Sequence, residues 1–133
     1  MASKIKQVSV FLENRPGRLM DMLQVLADNG IDIRALSQAD TADFGIARLV
    51  LSDTEKAVRA LNEAGFTAST TDVLSVMVPD KPGGFLAGAA IPLARAGINV
   101  EYVYAFVEQP KESAMVVLKV NDADKALAVL GNG

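Results

Sequence analysis

The sequence has no cysteine and no histidine among its 133 residues. Without cysteine there can be no disulfide, no thiolate nucleophile and no sulfur metal ligand. Without histidine there is no Ser-His or Cys-His pair, and the commonest metal ligand is missing too. A strong charge of either sign is also lacking. The net charge of −3 and the pI near 4.9 give no general attraction to nucleic acid or to an anionic membrane. The most apolar stretch, Phe85 to Val100, is broken by Pro92 and Arg95 and is too short to span a bilayer. Neither GxGxxG nor GxxxxGK[ST] occurs. Asp43-Phe44-Gly45 spells a kinase triplet, but no Gly-rich or catalytic loop accompanies it. Met1-Ala2-Ser3-Lys4 runs straight into strand-like alternation, with no signal pattern. Catalysis, a cofactor and a bound metal are therefore not expected, and a soluble cytoplasmic protein is.

Half the residues are hydrophobic and 22% are charged, the balance of a globular chain. At this length it forms one ordinary domain or two very small ones. The internal pattern favours two. Glu13-Asn14-Arg15-Pro16-Gly17-Arg18-Leu19 joins an alternating apolar run to an amphipathic helical pattern, and Pro79-Asp80-Lys81-Pro82-Gly83-Gly84-Phe85-Leu86 does so again. Pro16 and Pro82 are 66 positions apart (82 − 16). Repeats of this kind outrank other signals in deciding a fold.

In the first half, Val8, Val10 and Leu12 alternate as a strand, and Leu19, Met22, Leu23 and Leu26 recur at helical spacing up to Gly30. Strands are expected from Ile31 to about Ala39 and from Phe44 to Leu51, around a polar turn at Asp40-Thr41-Ala42-Asp43. Ser52 and Glu55 have capping-box spacing before a helix that Gly65 closes, and Phe66 to Thr71 is β-prone. In the second half, Val73 to Val78 is a strand and a helix runs to about Ala96. Gly97-Ile98-Asn99-Val100 then repeats Gly30-Ile31-Asp32-Ile33 at an offset of 67 (97 − 30). The one-residue insertion is assigned to the extra glycine at Gly83-Gly84. Strands are expected at Tyr102 to Glu108 and Ala114 to Val120, then a helix through Leu130 capped by Asn121.

Each half thus reads strand, helix, strand, strand, helix, and the first adds a closing strand. The fold class is α+β: two ferredoxin-like βαββαβ repeats, 1–71 and 72–133, with antiparallel sheets and helices on one face. In the second repeat only Gly131-Asn132-Gly133 remains where the last strand belongs. An uncovered Val73–Val78 edge would invite pairing. Another subunit or another part of the chain is expected to cover it, with truncation of the sequence as the alternative reading.

Two such units, each opening its first helix with a Pro-Gly turn, resemble a tandem ACT-domain protein over essentially the whole chain. The first repeat, Glu13-Asn14-Arg15-Pro16-Gly17 with Gly30-Ile31-Asp32-Ile33, is similar to the serine-sensing ACT domain of phosphoglycerate dehydrogenase. The resemblance implies a regulatory module that binds a free amino acid where the turn of one unit meets the second strand of a neighbouring unit. Asn14 matches the loop residue that contacts the ligand, Gly17 the glycine whose N–H faces it, and Asp32 and Asn99 the residue reaching in from the neighbour. Asp80 and Gly83 are the second-repeat equivalents of Asn14 and Gly17. The candidate ligand-binding set is Asn14, Arg15, Gly17, Arg18, Leu19, Asp32, Asp80, Lys81, Gly83, Gly84, Phe85, Leu86 and Asn99. Leu12 stands where the serine-sensing relatives carry histidine and Asp32 where they carry asparagine, which argues against serine.

The chemistry asked of such a site is simple. A zwitterion needs N–H donors for its carboxylate, which helix N-termini supply, and oxygen acceptors for its ammonium. A few charge-assisted bonds, less the cost of association, give a Kd on the order of μM to mM. Asn14 and Asp80 also suit turns without any ligand, and Arg15, Arg18 and Lys81 read equally as solvated side chains. Partners expected are a small-molecule amino acid, a second copy as homodimer, and a metabolic enzyme. A regulatory subunit that binds a biosynthetic enzyme without its own ligand is the alternative. Tyr102, Tyr104 and Phe106 share one strand face, a stripe that on such sheets can stack RNA bases. The acidic pI and the missing basic patch speak instead for burial against another sheet or subunit.

Overall fold

The computed structural model describes residues 2–40 and 44–131; the turn expected at Asp40–Asp43 falls largely on residues outside these. The elements begin with β1 (Ala2–Glu13), α1 (Arg18–Asp28), β2 (Ile33–Asp40), β3 (Phe44–Leu51) and α2 (Thr54–Glu63). They continue with β4 (Thr67–Pro79), a π-helical turn at Leu86–Ala90, α3 (Ile91–Arg95), β5 (Val100–Ala105), β6 (Ser113–Val120) and α4 (Ala123–Leu130). Two expected strands, Phe66–Thr71 and Val73–Val78, are one continuous strand, β4. The strand expected at Tyr102–Glu108 is shorter. Phe106 N–H still donates to the Met115 carbonyl at 3.0 Å, and beyond it the Gln109 side chain donates to the Phe106 and Met115 carbonyls where the ladder gives way to a loop.

The chain forms two compact units, Lys6–Thr71 and Asp72–Gly133 with Met1–Ile5. In Lys6–Thr71 the strand order is β2-β3-β1-β4. β1 pairs antiparallel with β3, Val8 opposite Leu49 and Leu12 opposite Gly45, and β2 pairs antiparallel with β3. Val8, Val10 and Leu12 turn one face of β1 inward, where they meet Ala47, Leu49 and Leu51 of β3. Met22 and Leu26 of α1 and Ala57 and Leu61 of α2 cover that face. Burying a leucine of this kind contributes about 1.5–3 kcal/mol. Phe11, on the opposite face of β1, is exposed.

In the other unit β4 pairs antiparallel with β6, Leu74 opposite Leu118, and β6 pairs antiparallel with β5. Its strand order is β1-β4-β6-β5, with the opening residues of β1 on the β4 edge. Ala2 is buried in the core with Leu74, Val76 and Val78, and its N–H donates to the Gly131 carbonyl at 3.1 Å. Lys4 Nζ lies 2.8 Å from Asp124 Oδ1. The edge left open in the second repeat's own sequence is therefore covered from within the chain.

Both units close their helices alike. Ile31, Phe66 and Ile98 each donate a backbone N–H across the helix end, to Leu26, Leu61 and Leu93 respectively, all at 2.9 Å. Each of the three is buried, the apolar contact that accompanies this C-terminal motif. The anchored isoleucines fix where Asp32 and Asn99, the next residues, emerge.

Helix capping differs from expectation at two matching places. Asp53, not Ser52, caps α2 by accepting from Lys56 N–H at 3.1 Å. Asp122, not Asn121, caps α4 by accepting from Lys125 N–H at 3.0 Å. Ser52 Oγ accepts from Asp32 N–H at 2.8 Å, and Asn121 Oδ1 from Asn99 N–H at 3.0 Å. The residue one step earlier is spent on tying neighbouring strands together.

Candidate functional site

The two Pro-Gly bends follow one backbone path. Arg15 N–H donates to Glu13 at 2.9 Å, as Lys81 N–H does to Pro79 at 3.1 Å. Asp21 N–H donates to the Gly17 carbonyl and Ala87 N–H to that of Gly83, both at 2.9 Å. Gly17 and Gly83 have φ of 91° and 79°, a left-handed conformation that costs any residue with a Cβ. Gly17 stands at the N-cap of α1, and no side chain caps that helix. Of the first-turn amides, Arg18 N–H donates to the Arg15 carbonyl at 3.4 Å, and those of Leu19 and Met20 are donors the helix cannot satisfy itself.

The hydrogen bonds also place the insertion. Up to Ala87 the repeats match at an offset of 66; from Asn29–Val25 and Ala96–Pro92 onward they match at 67. The extra residue thus lies beyond Ala87, in the stretch that holds the π-helical turn, and is not the glycine at Gly83-Gly84. The wider turn runs straight into α3, with Ala90 and Ile91 in helical conformation, so Pro92 lies inside one continuous helix, directly after its widened turn. Gly84 and Gly88 have packing reasons to be small. A Cβ on Gly84 would lie 2.0 Å from the Pro79 carbonyl oxygen, and one on Gly88 2.9 Å from Val78 Cγ1.

Charge surrounds the first bend. Arg15 Nε donates to Glu13 Oε2 at 2.9 Å. Arg18 Nη1 lies 3.2 Å from Asp21 Oδ2, and its guanidinium sits 4.3 Å above the Phe66 ring. Arg18 Nε is 3.3 Å from Glu13 Oε1, close enough for an ion pair but without hydrogen-bond alignment. The Arg15 hydrogen bond and charge, aided by Arg18, hold the Glu13 carboxyl below its ordinary value. Asn14 and Gly17 are exposed at the bend, and Leu19 and Met20 in the first turn of α1 are exposed apolar side chains.

The second bend has different neighbours. Asp80 N–H donates to the Glu112 carbonyl at 3.1 Å. A groove of about 390 Å³ lies there, lined by Met77, Val78, Pro79, Lys111, Glu112 and Ser113. Sequence reasoning missed this groove; its one sign was the longer loop around Gln109–Glu112. Lys81 and Gly83 are exposed, and Phe85 and Leu86 repeat the exposed apolar pair of Leu19 and Met20.

Within one unit the candidate residues form two groups, not one. Asn14, Arg15, Gly17, Arg18 and Leu19 stand at the start of α1, and Asp32 follows its end. The eleven residues of α1, about 16 Å of rise, run between Gly17 and the helix end before Asp32. Asn99 is likewise at the far end of the helix that begins beside Asp80, Lys81, Gly83 and Gly84. Tyr102 and Tyr104 stack on one face of β5, their ring centroids 6.4 Å apart and 22° from parallel. Both are half-buried, and across the sheet Val117 on the same side of β6 is fully buried. Among the described residues no helix is long and apolar enough to cross a membrane.

Comparison with known proteins agrees with this architecture. No curated protein sequence matches. Protein BT0572 from Bacteroides thetaiotaomicron is 39% identical with a TM-score of 0.89, over 97% of this chain and 88% of that one. The fold is also that of the regulatory subunit of aspartate kinase from Thermus thermophilus in its ligand-free form, with 20% identity, TM-score 0.68, and 97% and 93% coverage. The same subunit from Thermus flavus gives 21% identity, TM-score 0.66, and 97% and 94% coverage. The model of the ACT domain pair family matches residues 3–132, and the chain belongs to that family.

Proposed function

We propose that this protein is a non-catalytic regulator that binds a free amino acid at its Pro-Gly bends. The observation that carries the reading is the repetition of one backbone path: a left-handed glycine, then a helix start, with matching hydrogen bonds 66 residues apart. At the first of them no side chain caps the helix. Two such places in one chain suit a carboxylate better than chance turns do. On this reading Asn14 and Asp80 contribute oxygen acceptors for the ammonium. Asp32 and Asn99 stand at the far helix ends, so their contribution is to a ligand held by a neighbouring ACT unit. Binding that favours one arrangement of units over another is what would carry a signal. The protein works in the cytoplasm, as a homodimer.

A second reading has its own support. The exposed pairs Leu19–Met20 and Phe85–Leu86 suit protein contact, and the fold is shared with regulatory subunits of aspartate kinase. On that reading the chain regulates an amino-acid biosynthetic enzyme by contact, without its own ligand. Native mass spectrometry in an equimolar mixture of the twenty amino acids separates the two. One adduct mass, lost in a Gly17→Val/Gly83→Val variant, is expected; a bare chain at millimolar amino acid overturns the ligand reading.

A further inference from the structure

β2 and β5 end the strand orders of their units, and among the described residues no strand pairs with the outer side of either. Such an edge presents unpaired N–H and C=O groups, and proteins usually blunt it with charge, proline or a bulge. β2 is blunted: Arg34 and Gln38 are exposed, and Leu36 packs into its own core. β5 carries neither lysine nor proline, and its one register shift falls at its start, between Val100 and Tyr102. Val103 stands opposite the buried Leu118 of β6, yet is itself 47% exposed. The ladder fixes which groups of β5 are unpaired. Phe106 N–H donates toward β6, to the Met115 carbonyl at 3.0 Å. Backbone groups alternate in direction along a strand, so Tyr102 and Tyr104 also face β6. Val103 and Ala105 therefore point their N–H and C=O groups out of the sheet.

We propose that this edge pairs antiparallel with β5 of a second copy, about a two-fold axis at Tyr104. In that register the strand is complementary to itself. Val103 of each copy lies opposite Ala105 of the other, and each such pair exchanges both of its N–H···O bonds. Tyr104 meets its own copy across the axis, an aromatic pair of the kind that stabilises antiparallel sheets. Glu101 falls opposite Val107 and Glu108 opposite Val100, so no like charges meet. The exposed Val103 side chain gains an apolar neighbour. A two-fold axis uses the same patch on both copies, so the pairing consumes the edge and stops at a dimer. The inference rests on the homodimer of the proposed function and names its interface; it assumes nothing about what the bends bind.

Sedimentation of the full chain tests it, and the wild-type chain should be a dimer at micromolar concentration. Val103→Pro removes an N–H that points away from β6, a place where edge strands tolerate proline, and Val103→Lys sets a charge on the edge. Both variants should keep their far-UV circular dichroism and raise the dimer Kd roughly tenfold or more. Cysteine, which the wild-type chain lacks, reads the register. A hydrogen-bonded pair stands about 5.5 Å apart at Cα, within disulfide reach. In an equal mixture, Val103→Cys and Ala105→Cys chains should therefore link to each other on oxidation. An unchanged Kd in both Val103 variants, or cysteine chains that link only to their own kind, overturns the interface and leaves the homodimer standing. A wild-type chain that stays monomeric even at millimolar concentration overturns both, and leaves the edge to a strand of another protein.

Discussion

Ala2 donates its backbone N–H to the carbonyl of Gly131 at 3.1 Å, joining the start of β1 to the end of α4. With Ala2 in the core beside Leu74 and Val76, the opening residues of the chain are part of the second repeat's fold. Deleting residues 2–5 should therefore destabilise that repeat and not the first. At a net 1 kcal/mol or so per lost backbone hydrogen bond, the expected loss is on the order of 2–4 kcal/mol. Hydrogen exchange should quicken at Val73–Val78 and stay slow at Ala47–Leu49; equal acceleration in both would refute it.

Asp53→Ala and Asp122→Ala should each cost about 1 kcal/mol in urea denaturation, the usual value of an N-cap. Ser52→Ala should cost a similar amount by another route. Its loss frees the Asp32 amide, so exchange should quicken at Asp32 while the first turn of α2 keeps its protection.

The glycines of the bends should separate two kinds of constraint. Gly17→Ala meets no atom within 4 Å but must hold φ near 91°, a cost of about 1–2 kcal/mol. Gly84→Ala drives a methyl into the Pro79 carbonyl, so its cost should reach or pass the upper end of the 1–3 kcal/mol typical of overpacking. A Gly84→Ala variant as stable as Gly17→Ala would show that the strand end gives way freely.

Glu13 should titrate below its ordinary value of 4.5, chiefly through the Arg15 hydrogen bond. A carboxyl depressed in the folded state contributes stability above its unfolded value, and this is lost as pH falls through the folded one. Carboxyl NMR on the Arg15→Ala variant should show Glu13 moving back up, and acid unfolding should begin at higher pH. A Glu13 resonance unmoved by the substitution would assign the depression to Arg18.

Much of this was legible in the sequence, and the failures share a cause. Pro16 and Pro82, Gly30 and Gly97, and the alternation of Val8, Val10 and Leu12 are local signals, and local signals placed the helices, most strands and both bends. Ser52 beside Asp53 and Asn121 beside Asp122 offer two capable oxygens each, and only the tertiary need of Asp32 and Asn99 decides which one caps. The insertion was visible as a change of offset, but its position depended on hydrogen bonds between Ala87 and Pro92. The role of Ala2–Ile5 needed contacts 120 residues or more along the chain. The groove at Met77–Pro79 had the same origin, since its second wall is a loop with no pattern of its own.

The central claim is that amides at paired glycine bends hold a free amino acid. Thermal unfolding in the presence of each of the twenty amino acids tests it most directly. One of them, at a hundredfold excess over its Kd, should stabilise the protein by about 2.7 kcal/mol, several degrees in Tm, and the effect should vanish in Gly17→Val/Gly83→Val. Twenty superimposable melting curves up to 10 mM would contradict the account.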